Sequence, residues 1–159
     1  MEPNMIRIMG IDPGVSGALA LVSGARVIEV WDVPTMAKTT GKGLQINSAA
    51  LGDLMVVGDP NIVVIERVGA MPKQGVTSMF NFGYSAGILD GVTGALAFTV
   101  RFVHPNAWKK HFGLTGKDKD AARTLAIQRH PEAAARLTLK KHVGRADAIL
   151  LADYLNEVM

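Results

Sequence analysis

The sequence predicts a mixed α/β domain: a five-stranded sheet, opened by an antiparallel three-strand meander, completed by parallel strands and flanked by helices. Three observations predict it. Short β-branched runs near the start are separated by tight turns. Later apolar runs alternate with stretches long enough for helices, the order expected of crossover units. The 159 residues are 48% apolar and 19% charged, which suits a buried core and, at this length, one domain over residues 1–159.

Residues 6–11 are apolar apart from Arg7 and stop at Asp12-Pro13-Gly14, so a strand ends at Asp12 in a Pro-Gly turn. Residues 18–22 and 26–31 are the next runs, joined by Ser23-Gly24; the spacing makes a meander. Residues 34–43 hold Thr, Lys and Gly without an apolar period and read as a mobile loop. Asn47 or Ser48 can cap a helix to about residue 57, broken by Gly58-Asp59-Pro60. Residues 62–65 are wholly apolar, as in a strand covered on both faces, and Glu66 ends them. Residues 69–75 form another loop, and a long helix is expected over residues 77–96. Its Gly83, Gly87 and Gly91 share a stripe at spacing four. Each weakens the helix by roughly 1 kcal/mol against Ala, and together they let the sheet or a second subunit approach closely. A fifth strand covers residues 98–103, and Pro105 opens a short helix. Asp118 or Asp120 starts another, Pro131 ends or restarts it, and an apolar helix from about residue 145 to 158 closes the chain.

No cysteine is present, which excludes disulfides, Cys-based zinc sites and a thiol nucleophile. No apolar run approaches the roughly 18–20 residues of a membrane span. Glu2, Pro3 and Asn4 are not the basic start of a signal peptide. A cytoplasmic protein with no membrane partner is expected. The net charge of +3 is unevenly spread: residues 101–145 hold 11 Lys/Arg against 3 Asp/Glu, while residues 1–100 hold 6 against 8. A basic segment beside a near-neutral body points to a polyanion partner, although solvated helix faces give the same count.

Three carboxylates stand out. Asp12 ends the first strand, Glu66 ends an apolar one and Asp147 begins an apolar helix. If the strands are neighbours and the last helix crosses their ends, the three acids converge. Converging acids repel one another unless cations neutralise them. Oxygen-only ligands favour hard ions such as Mg²⁺ or Mn²⁺, and a pair of such ions can cleave a phosphodiester. Each acid also has an ordinary explanation: a turn opener at Asp12, an exposed strand end at Glu66, a favourable helix N-terminus at Asp147.

The segment Ile8-Met9-Gly10-Ile11-Asp12-Pro13-Gly14 resembles the opening motif of RuvC-type Holliday junction resolvases. Val63-Val64-Ile65-Glu66-Arg67-Val68 resembles their second acidic motif, and Arg145-Ala146-Asp147-Ala148-Ile149-Leu150-Leu151-Ala152 their closing helix. The likeness is greatest to the short RuvC-like proteins of phages and prophages. It implies an RNase H-like fold and a homodimeric, Mg²⁺-dependent endonuclease, with Mn²⁺ as a substitute, that places symmetric nicks in four-way DNA junctions. It implies a bacterial or phage protein working in a cytoplasm. Asp12, Glu66 and Asp147 are then ligands of two metal ions, with water as the nucleophile. The helix over residues 77–96 matches the dimer-forming element, and the loop after Glu66 the segment that enters the junction. There Met71 is the wedge and Lys73 meets phosphate. Lys109, Lys119 and Lys141 are the expected basic DNA contacts.

Two features depart from the family pattern. A fourth ligand, Asp or His, usually stands shortly before the last Asp, yet three residues before Asp147 is Gly144. His142 takes that role, as ligand or general acid/base, if the helix begins after it; otherwise it faces phosphate or solvent. Gly69-Ala70 also lacks the aromatic wedge of some relatives. His104, His111 and His130 are expected to be structural, and Trp31 and Trp108 to belong to the core.

Three rivals remain open. Asp12-Pro13-Gly14-Val15-Ser16-Gly17 also resembles the phosphate loop of actin-like ATPases and sugar kinases, but no second phosphate loop or adenosine site follows, so no nucleotide cofactor is expected. A non-catalytic junction-binding dimer would bind without cutting. A broader nuclease of the same fold would act on other branched DNA, flaps or structured RNA.

Overall fold

The computed structural model describes residues 5–159; the expectation drawn from Glu2, Pro3 and Asn4 lies outside them. β1 (Arg7–Asp12), β2 (Ala18–Ser23) and β3 (Arg26–Asp32) form the expected antiparallel meander. Where a loop was expected over residues 34–43, β4 (Thr35–Ala37) and β5 (Leu44–Ile46) instead pair as a separate hairpin. Lys38 N–H donates to the Gly43 carbonyl at 3.0 Å, and Lys38 Nζ donates to Asn81 Oδ1 at 2.8 Å. Strands three residues long are too short to show an apolar alternation, which is why the segment looked like a loop.

α1 (Ser48–Gly58) is capped by Asn47, whose side chain accepts from Ala50 N–H, and leads to β6 (Ile62–Glu66). α2 (Val76–Ala95) leads to β7 (Thr99–Val103). Then come α3 (Pro105–His111), α4 (Lys119–Arg129), 3₁₀ turns at Pro131–Arg136 and Lys140–His142, and α5 (Val143–Val158). The five-stranded sheet has the order β3-β2-β1-β6-β7, with β6 parallel to β1 and β7 parallel to β6. No helix among the described residues is long and apolar enough to cross a membrane.

Side chains alternate across a strand, and the two cores follow from that parity. Met9, Ile11, Val63 and Ile65 meet Leu51 and Met55 of α1 and Leu89 of α2. Ile8 and Val64 meet Trp108, Ala126, Ile149 and Leu150 of α3, α4 and α5. Asp12 and Glu66 continue the second parity and so belong to the α3–α5 face. Gly10 lies on that face too, and α5 rests directly on it. A Cβ at Gly10 would stand 2.0 Å from the Ala148 carbonyl oxygen and 3.0 Å from the Ala152 nitrogen. Only glycine allows two backbones so close.

α5 is tied down at both ends. Near its start, Arg145 forks onto Asp32 at the end of β3, Nε to Oδ1 and Nη2 to Oδ2, both at 2.7 Å. Further along, buried Asp153 accepts from His130 at 2.9 Å and from Arg129 at 2.9 Å. α2 runs unbroken past its glycines, and a Cβ at Gly83, Gly87 or Gly91 would meet nothing within 4 Å. The stripe therefore makes no close packing contact with the sheet. Phe80 and Tyr84, stacked with centroids 6.3 Å apart, are also exposed on this helix.

Candidate active site

The parallel register pairs Ile11 with Ile65, which sets Asp12 and Glu66 side by side at the carboxyl ends of adjacent strands. Asp147 enters from the first turns of α5, one residue before the Ala148 carbonyl that touches β1 at Gly10. The backbone contact thus sets where Asp147 stands relative to Asp12. Asp12 and Asp147 line a cleft of about 560 Å³. Glu66 lies beside it and lines a neighbouring hollow of about 380 Å³ with Arg67, Asp90 and Phe102. Its Oε2 accepts from the Trp108 indole N–H at 2.8 Å.

The charges in this cluster interact. Burial, then the charges of Asp147 and Glu66, push Asp12 up to about 8, with Lys109 and Lys119 pulling partly back. Burial, then Glu66, push Asp147 up to about 7 against the same two lysines. None of the three acids takes part in the ion pairs of the described residues. Five lysines line the cleft: Lys109, Lys117, Lys119, Lys140 and Lys141. The expected contacts Lys109, Lys119 and Lys141 are therefore brought to the carboxylates. Lys117 and Lys140 were not singled out from the sequence; their only signal was membership of the basic segment 101–145.

Other expected site residues lie elsewhere. α5 does begin after His142, yet the ring does not line the cleft. It is buried, and its Nδ1 accepts from Leu139 N–H at 3.2 Å. Burial, then the Arg145 charge, hold its pKa below the ordinary histidine value. His142 is thus not brought to the carboxylates. Gly144 lies against Asp12: a Cβ there would stand 2.9 Å from Asp12 Oδ2 and 3.0 Å from the Ser16 carbonyl oxygen. The departure at this position has a steric counterpart: a side chain here would require Asp12 or the Ser16 carbonyl to shift. Met71 and Lys73 do not line the carboxylate cleft either. Met71 is exposed beside Gln74 along a groove between the hairpin and α2, and Lys73 has a left-handed backbone with φ 65°.

Asp12, Asp147 and Glu66 are the residues able to hold a metal. The donor set is all oxygen, and two of its members are half-buried against like charge, which suits a hard divalent ion. As arranged, no three Asp, Glu or His side chains among the described residues form a ready cage; the arrangement is two acids in the cleft and a third beside it.

A stability prediction follows. Both carboxyls have an ordinary value of 3.8 and are raised in the folded protein. The native state then binds protons more tightly than the unfolded chain, so the contribution is complete below about pH 4 and is lost as pH rises through about 7 to 8. Melting in EDTA is expected to fall in temperature from pH 5 to pH 8, with a shallower fall in Asp12→Asn. Some slope remains in that variant. Burial disfavours the charged His130 ring, but Asp153 and Glu132 outweigh it and raise His130 above 6.5, so its contribution too is lost above that pH. Identical slopes in the two proteins would refute the coupling.

No family model matches the chain. The structure of Thermus thermophilus RuvC bound to a Holliday junction substrate matches with a TM-score of 0.60 and 15% identity, covering 96% of each chain. The architecture is a RuvC fold. The yeast mitochondrial Holliday junction resolvase Ydc2 matches at a TM-score of 0.59 and 15% identity, over 94% of this chain and 77% of that one. The fowlpox virus resolvase matches at 0.54 and 12% identity, over 97% and 100%. In sequence, the chain is 28% identical over 148 residues to the chloroplastic Holliday junction resolvase MOC1 of Chlamydomonas reinhardtii. That match covers 79% of this chain and only 17% of the longer relative. The expected mixed sheet is therefore that of a RuvC fold.

Proposed function

We propose that this protein is a divalent-metal-dependent endonuclease that resolves four-way DNA junctions by paired nicks. The observation that carries the reading is a half-buried pair of acids, Asp12 and Asp147, in a cleft rimmed by five lysines. The chloroplast relative is named a Holliday junction resolvase, and the RuvC structure holds a junction. Both support junction DNA as the substrate.

In this reading Asp12, Glu66 and Asp147 hold two Mg²⁺ ions, with Mn²⁺ as a substitute. Bound ions supply an activated water and stabilisation of the leaving oxygen. Lys109, Lys119 and Lys141, with Lys117 and Lys140, hold the phosphates beside the acids and offset their repulsion. Met71 and Lys73, on the loop after Glu66, meet the DNA away from the scissile bond. His142 has no role at the reacting phosphate. A homodimer through α2 fits the exposed Phe80, Tyr84 and glycine stripe, and two copies would supply the two nicks.

The deciding experiment incubates the protein with a labelled four-way junction and a matching duplex, in Mg²⁺, Mn²⁺ or EDTA. Metal-dependent paired nicks near the crossover of the junction alone are expected. Cutting of flaps, forks or structured RNA at equal rates would replace the junction reading with a broader nuclease. Tight binding without a cut in any metal would make this a junction-binding protein.

The lysine rim makes its own prediction. Lys119→Ala is expected to weaken junction binding and to lower the slope of log affinity against log salt by about one. Binding measured between 50 and 200 mM salt (a conventional range for counterion release) checks it; an unchanged slope would remove Lys119 from the phosphate path.

A further inference from the structure

Trp108 combines features that a purely space-filling residue does not need. It is fully buried on α3, and an indole N–H in that setting must find an acceptor. Its acceptor is Glu66 Oε2, at 2.8 Å. A bond to a carboxylate is stronger than one between neutral groups. Trp108 also lines the Asp12–Asp147 cleft, whereas Glu66 does not. The indole bond therefore ties the third acid to the cleft. The backbone reinforces the tie. Glu66 is in register with Val103, and Arg67 N–H donates to the Val103 carbonyl at 2.7 Å. α3 starts two residues after β7 ends, at Pro105. Lys109 Nζ lies over the ring, 5.3 Å from its centroid, and Lys109 itself lines the cleft.

We propose that Trp108 is a positioning residue: its indole N–H fixes one oxygen of Glu66, so that the other is kept for a divalent cation held with Asp12 and Asp147. The inference rests on the metal reading above and deepens it. Groups that orient a ligand from behind typically change metal affinity by 10–100-fold when removed. Trp108→Phe keeps an aromatic ring in the core and deletes the donor.

The test uses the full chain. Mn²⁺ binding is measured by electron paramagnetic resonance on the wild type, Trp108→Phe, Glu66→Gln and the double variant. Trp108→Phe is expected to bind Mn²⁺ about 10-fold more weakly, with cleavage recovered as metal is raised. In the Glu66→Gln background the same change is expected to have no further effect. In the wild type, the Trp108 indole N–H resonance is expected to move on adding Mg²⁺ and in Glu66→Gln, while that of Trp31 stays. Equal Mn²⁺ affinity in wild type and Trp108→Phe, or equal losses in both backgrounds, would overturn the proposal. If Trp108→Phe does not fold, an indole resonance unmoved by both Mg²⁺ and Glu66→Gln overturns it. No Mn²⁺ uptake by the wild type overturns the metal reading and this inference with it. Normal uptake that ignores Trp108 overturns the inference alone.

Discussion

Asp12→Asn is expected to reduce junction cleavage by about 10³-fold or more while leaving junction binding within about twofold. The acid is a proposed metal ligand and not a phosphate contact, so the loss falls on the chemical step. A thousandfold corresponds to roughly 4 kcal/mol of lost charge stabilisation. The same variant is expected to melt higher than the wild type in EDTA at neutral pH. Burial and the charges of Asp147 and Glu66 oppose ionisation of Asp12, and an amide has no charge to repel. A rise of a few degrees would represent about 1 kcal/mol at this chain length. Lost cleavage with gained stability separates a functional acid from a structural one. Full activity in Asp12→Asn would refute the site.

Gly10→Ala carries the largest expected cost in stability. The added methyl would stand 2.0 Å from the Ala148 carbonyl oxygen and 3.0 Å from the Ala152 nitrogen. Both are main-chain atoms in the middle of α5, so no rotamer change relieves the clash. The helix must lift from β1, and that helix contributes Ile149, Leu150, Leu151 and Ala152 to the core. Overpacking that moves a backbone costs about 3 kcal/mol or more. At this chain length that is a fall of roughly 10 °C in melting temperature, or failure to fold. Any folded fraction is expected to bind DNA but cut poorly, because Asp147 moves with the helix. A melting temperature within 2 °C of the wild type, on the scale of about 1 kcal/mol, would show that the close approach is not rigid.

Much of the site was legible because strand parity and turn chemistry are local. Asp12 before Pro13-Gly14 marks a strand end, and Glu66 closes an apolar run; both follow from residue order alone. Their adjacency needed the parallel pairing of β1 with β6, which the sequence only allowed. Asp147 was legible as an acid at the head of an apolar helix, but its seat depends on Gly10, whose role appears only when α5 lies on it. The β4–β5 hairpin was missed because its strands are held by backbone pairing and by Lys38 on Asn81, neither of which has a periodic signature. Spacing located His142 just ahead of α5 but could not give the direction of its ring, which turns to Leu139. Trp108 was correctly placed in the core, yet the partner of its one polar atom lies 42 positions away, beyond any local pattern.

The contact of β1 with α5 at Gly10 also bears on how this architecture withstands divergence. Two main chains in touch hold their relative position whatever apolar side chains surround them, provided the strand residue has no side chain. Drift in the packing around the contact then leaves the acids at the strand ends and on the helix in the same relation. This chain and Thermus thermophilus RuvC share 15% of their residues and superpose at a TM-score of 0.60. The substitutions such a scaffold tolerates least are those that put atoms between its two main chains.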